Sequence, residues 1–231
     1  MRRISLFCFV LCISFQSYSQ IYFTYGYGGS FTNPKGLNQF VENYNATRSW
    51  LNKEMKSFSY LDGISVTLGA GFGGGSIDME YALRAQKRFA DGIDAAGDDV
   101  TRQVKHRQNA FAVSTGGMFV EGSGGVAFGL RTEFGNQKIN TRLYETNGSK
   151  SDWEKYDMGL MVNTGPVLKI FFGEDGGLAA LSLHYTFGLL NRNVSEIEDL
   201  INHSNPPDDD ERFDNNTGGF GFGVSFGVFG S

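Results

Sequence analysis

The chain is 231 residues long, 40% hydrophobic and 14% aromatic, with 32 glycines and a formal net charge of −5. That length suits one domain, and no run of 18 apolar residues occurs, so the sequence contains no membrane-spanning helix. The acidic balance, with no basic cluster along the sequence, excludes a nucleic-acid partner.

Arg2 and Arg3 precede an apolar run from Ile4 to Phe15, and Ser17-Tyr18-Ser19-Gln20 follows with small residues at the −3 and −1 positions. This is the pattern of a secretory signal peptide cut after Ser19, its apolar run too short to span a bilayer. Residues 1–19 are expected to be a leader and 20–231 the mature domain. Leu11, before Cys12, is too large for a lipoprotein site. Both cysteines, Cys8 and Cys12, fall in the leader, so the mature chain has no disulfide, no thiol nucleophile and no cysteine-ligated metal. Loss of Arg2 and Arg3 takes the charge from −5 to −7.

Beyond the leader, apolar residues alternate with small or polar ones. Ile64, Val66, Leu68 and Ala70 alternate with Ser65, Thr67, Gly69 and Gly71; Leu181, Leu183, Tyr185 and Phe187 alternate with Ser182, His184, Thr186 and Gly188. Period two means strands with two different faces. Rings on one face, with charges and small residues on the other, suit a barrel turned toward lipid. The pattern predicts strands near 21–31, 59–71, 75–89, 101–120, 125–146, 151–172, 177–190 and 213–229. Glycine-rich turns follow Phe72, Glu121 and Gly173. Segments 32–58, 90–100 and 191–212 read as longer polar loops on the opposite side, and the hairpin around Asn147-Gly148-Ser149 extends above the membrane. Between Gly36 and Ser57, Leu37, Phe40, Val41, Tyr44 and Leu51 recur at helical spacing after Asn33-Pro34, which predicts an amphipathic helix over the barrel mouth. Phe72, Phe119, Phe171, Phe172 and Phe229 lie beside the short turns and are expected to form an aromatic girdle there.

At this point the chain resembles the small outer-membrane β-barrel proteins of Gram-negative bacteria, especially those of Bacteroidetes. The matching residues are the Ser17–Gln20 leader end, the eight alternating strands and the closing strand Phe220-Gly221-Phe222-Gly223-Val224-Ser225-Phe226-Gly227-Val228-Phe229. The resemblance implies an all-β, eight-stranded antiparallel transmembrane barrel in the outer membrane. It also implies a terminal aromatic that assembly machinery reads, for which Phe229, followed by Gly230 and Ser231, is the equivalent.

The predicted inner face carries Asp78, Glu80 and Arg84 on the third strand, Arg131 and Glu133 on the fifth, and Lys169 and His184 on the sixth and seventh. An eight-stranded barrel is just wide enough to be filled by its own side chains. Buried charges there must pair, so these seven residues are expected to form a lumen-filling charge network, with a proton or ion path as the sharper alternative. Pro166 interrupts the sixth strand. A bulge near the turn-side rim is expected there, against the alternative of a lateral opening to lipid.

No catalytic constellation is legible. His106 and Ser114 share a face but lie eight residues apart at about 3.3 Å per residue. His203 falls in a loop, and no Gly-x-Ser-x-Gly elbow occurs. The acidic run Pro206–Glu211 lacks calcium-loop spacing, and no glycine cluster precedes the Lys-Ser/Thr of a phosphate loop. Neither cofactor nor metal is expected. The function expected is a non-enzymatic barrel that presents extracellular loops 32–58 and 191–212, alone or as an accessory subunit of an outer-membrane secretion or assembly complex. Its partners are then outer-membrane lipid and other outer-membrane proteins. A small channel or hydrophobic-ligand transporter is the alternative; a lipid-modifying enzyme ranks below both.

Overall fold

In the computed structural model the alternating segments close into a ring. The structure describes residues 20–72, 74–94, 96–121, 124–145, 148–190, 192–193, 214–215 and 217–230; the expected leader, most of the 191–212 loop, His203 and the acidic run lie outside them. The eight staves are β1 (Gln20–Thr32), β3 (Tyr60–Phe72), β4 (Gly75–Ile93), β5 (Asp99–Glu121), β6 (Gly124–Glu145), β7 (Glu154–Glu174), β8 (Gly177–Gly188) and β11 (Gly219–Gly230). Each pairs antiparallel with its sequence neighbours, and β1 pairs β11 from Ile21↔Gly230 to Thr32↔Gly219, which closes the ring. Three further strands are short: β2 (Leu51–Lys53) joins the top of β4, and β9 (Arg192–Asn193) pairs β10 (Asp214–Asn215).

The wall is uneven. Strands β4 to β7 have 19, 23, 22 and 21 residues, whereas β1, β3, β8 and β11 have 13, 13, 12 and 12. A tilted strand needs about 9–11 residues to cross a bilayer, so the tall half rises above it. Around the ring, outward apolar residues such as Phe23, Leu68, Met79, Phe111, Phe128, Leu168, Leu183 and Phe226 form the belt that makes this a transmembrane barrel.

Four expectations are corrected. First, 90–100 is not a long loop. β4 runs to Ile93, and the connection is a tight turn in which the Asp94 carboxylate accepts from the backbone N–H of Ala96 and Asp98, with Gly97 at φ +88°. The polar outer face of this hairpin reads as loop; its buried inner residues, Ala90 and Val104, show it to be strand.

Second, the helix α1 (Lys35–Ala46) is shorter than 36–57, because Leu51, in β2, pairs with Gly92 of β4 rather than continuing the helical stripe. Third, Phe171 and Phe229 are not part of an outer girdle. They point inward against Tyr22, while Phe119 and Phe172, 79% and 59% exposed, face out. Fourth, there is no bulge at Pro166. Its register with Leu130 is continuous with the pairs on either side, and the one shift between β6 and β7 lies at Gln137/Lys138. There Met158 bulges beside Gly159 at φ +82°.

Candidate functional site

The lumen is built in layers, and the alternation of each strand decides which residues enter it. At the short-turn end, Tyr22, Ala127, Phe171, Leu178 and Ala180 are buried together, with Met118 and Phe229 packed against them. Edge-on ring contacts join Tyr22 to Phe171 (5.6 Å between centroids) and to Phe229 (6.3 Å).

Above this cluster lie the charges. Lys169 Nζ donates to Asp78 at 2.6 Å. Arg131, fully buried, donates to both oxygens of Glu80 at 3.0 and 2.7 Å and to Glu133 at 3.0 and 2.8 Å. Arg84 adds contacts to Glu80 at 3.6 Å and Glu133 at 3.5 Å. Three carboxylates thus meet three cations, so the layer is neutral as a whole. Such closeness is the condition on which ions survive away from water. The planar fork of Arg131 suits it to bridge two carboxylates. His184 enters the lumen too, but its ring lies against Gly221, and no hydrogen bond among the described residues joins it to the ions. The staves opposite the charged ones offer small inner residues: Gly26, Gly28, Ser65, Ser182, Gly223 and Ser225. The long side chains of β4 and β6 reach into the room these leave. A residual cavity of about 30 Å³ lies between Thr24, Thr67, Glu80, Lys169 and Ser182.

Next comes an uncharged polar layer that was missed at the level of sequence. Arg84 Nη1 donates to Gln108 at 3.4 Å, Gln108 and Gln137 both donate to the Met161 sulfur at 2.7 and 3.4 Å, and Gln137 bonds His106 at 3.2 Å. The inward parity of 108 and 137 was the available signal. His106 lies above the apolar belt, where its outward neighbours on β5 are Lys105 and Arg107. Burial depresses its imidazole to about 4, against a smaller opposing effect of the Gln137 hydrogen bond.

Helix α1 closes the column. Leu37, Phe40, Val41 and Tyr44 form one stripe buried against Ala90, Val104, Ile139 and Met158 of β4 to β7 and against Met55 and Phe58 of the returning segment. Two asparagines on one helix face clamp that segment. The Asn38 amide donates to the Phe58 carbonyl at 2.9 Å and accepts from its N–H at 2.7 Å. Asn45 does the same to Met55 at 2.9 and 3.0 Å.

Pro166 is exposed on the belt. The β7–β8 ladder skips Gly165 and Pro166 but keeps one register from Asn163↔Gly188 to Glu174↔Gly177. A Cβ added to Gly165 would fall on the Tyr185 carbonyl oxygen, so the two strands stay in contact and the wall has no lateral opening there.

No protein-family model matches the chain, and no curated protein matches it by sequence. Among solved structures it is similar to Ail, the attachment invasion locus protein of Yersinia pestis, crystallised in complex with the heparin analogue sucrose octasulfate. The two share 10% identity over 92% of this chain and 99% of that one, with a TM-score of 0.39.

Proposed function

We propose that this protein is a non-conducting, non-enzymatic anchor of the outer membrane, which holds the tall β4–β7 wall and the helix-capped first loop on the extracellular side for contact with other envelope components. The observation that carries this reading is the filled lumen: among the described residues, aromatic rings, ions, glutamines and a helix occupy successive levels of the barrel interior. Short turns on one side and tall hairpins on the other agree with an orientation in which the turns are periplasmic. The leader-like Ser17–Gln20 segment agrees with export and cleavage before β1.

Two measurements test it. The native protein should fractionate with outer membranes and resist carbonate washing; recovery as a detergent-free soluble monomer would sink the assignment. In planar bilayers the folded barrel should give no stable conductance. Reproducible single-channel steps would replace the anchor with a channel.

A further inference from the structure

Cross-strand pairing assembles a basic row that is invisible along the chain. On the outer face of the tall wall, Lys87 lies opposite Lys105, Lys105 opposite Asn140, and Asn140 opposite Lys155. One step nearer the belt, Arg107 lies opposite Lys138, which lies opposite Asp157. Directly opposite side chains stand about 5 Å apart, and next-but-one residues of a strand about 7 Å. Five cations therefore occupy one patch two strand-steps deep, on a chain whose net charge is −5. Lys138 pairs with Asp157 at 3.3 Å. Among the described residues, Lys87, Lys105, Arg107 and Lys155 have no carboxylate partner. Like charges facing each other across a ladder repel, and the Lys105 ammonium is pushed below its ordinary pKa by partial burial and then by Arg107 and Lys87.

The height of the patch says what it meets. The outward row Tyr81, Phe111, Phe134 and Val162 is apolar, the next row up is Leu83, Asn109, Asn136 and Leu160, and the cations begin on the row after that. Arg107 stands four residues above Phe111, roughly 13 Å along a strand and nearer 10 Å along the membrane normal at barrel tilt. That is head-group depth. On the low half of the wall the corresponding rim is aromatic instead, with Phe31, Tyr60, Phe220 and Phe222 in mutual ring contact.

We propose that Lys87, Lys105, Arg107 and Lys155 form a docking surface for phosphorylated lipid head groups in the leaflet on the tall side. The inference rests on the membrane-anchor reading above. A phosphate between opposed lysines removes their repulsion, and the positions lie within reach of lipids that pack on the belt beneath.

The test uses the full mature barrel in nanodiscs of zwitterionic phospholipid doped with lipid A or with dephosphorylated lipid A, and reads retained lipid by native mass spectrometry. The wild type should retain the phosphorylated form about tenfold better. Lys87→Gln/Lys105→Gln/Arg107→Gln/Lys155→Gln should bring that preference to within about twofold, whereas Lys35→Gln/Lys56→Gln, on the first loop, should leave it unchanged. Equal retention of the two lipids by the wild type overturns the proposal, as does an undiminished preference in the quadruple variant. So does a row that binds heparin in solution without discriminating between the lipids, which would make it a soluble-polyanion site. An unheated-gel shift and co-flotation with vesicles are measured on each protein. A barrel that does not insert refutes the anchor reading itself, whereas an inserted barrel blind to phosphate refutes only the docking surface.

Discussion

Arg131 on β6 holds Glu80 on β4 by two hydrogen bonds, at 3.0 and 2.7 Å, on the lumen face of the wall, where both side chains are buried. The two residues are separated in the wall by the whole of β5. They meet over Ala112 and Ser114 of β5, whose small side chains leave room for the long Arg131 side chain to reach across the strand between them.

Arg131→Ala leaves Glu80 and Glu133 facing each other with Arg84 as their remaining close cation. It should cost about 3–5 kcal/mol, since it strands buried charge. Lys150→Ala, at an exposed site, should stay within about 0.5 kcal/mol of wild type. Urea unfolding of the refolded barrel in lipid or detergent measures both. Equal midpoints for the two variants would mean that the inner register of β6 is wrong.

His106 supplies a pH dependence. Its folded-state pKa, about 4, lies below the ordinary 6.5, so between these values the unfolded chain binds a proton that the folded one refuses. Its contribution is complete above about pH 6.5 and is lost as pH falls toward 4, by roughly 3 kcal/mol at most. His106→Gln should flatten the wild-type loss of stability between pH 7 and pH 5. Parallel slopes in the two proteins would place the imidazole in contact with water.

The cap should yield separately from the wall. Phe40→Ala opens a void under helix α1, a change worth about 3–5 kcal/mol in a packed core. Asn38→Ala deprives the Phe58 backbone of two partners, at about 1–3 kcal/mol. Both variants should expose 33–59 to protease while the remaining ring still shifts on an unheated gel. Cleavage at wild-type rates would mean that the helix is not held in the mouth.

Pro166 sits in an unbroken register with its strands in contact, so Pro166→Val should change stability by less than about 1 kcal/mol: a regained ladder hydrogen bond roughly offsets the added freedom of the unfolded chain. A loss of several kcal/mol would show that the proline enforces a wall geometry that a β-branched residue cannot adopt.

Much of the lumen was legible because side-chain direction in a strand is local. Counting by twos from Asp78, Arg131 or His184 assigns each to the inside with no knowledge of its partners. The same count from Phe220 already turns Phe229 inward, and proximity to a turn was a poorer guide than parity. Pairing was legible only where it is local: Arg131 and Glu133 stand two residues apart on one face of β6, within reach of each other, whereas that Lys169 takes Asp78, that Arg131 also takes Glu80, and that His184 lies over Gly221 depend on stave order and register.

The sequence by itself determined the period, the eight staves, the glycine-rich turns after Phe72, Glu121 and Gly173, and the identity of the inner and outer faces, since these follow from bonds and sterics within a few residues; the Asp94–Asp98 turn, whose hairpin is polar outside, was not among them. Tertiary structure alone decided the rest. It supplied the seat of α1, whose place over the mouth the apolar stripe already implied: the inner faces of β4 to β7 offer it Ala90, Val104, Ile139 and Met158. It also gathered Lys87, Lys105, Arg107 and Lys155, up to 68 residues apart in the chain, into one basic row. Neighbourhood across a ladder is fixed by register, and register is a property of the closed sheet rather than of any one strand.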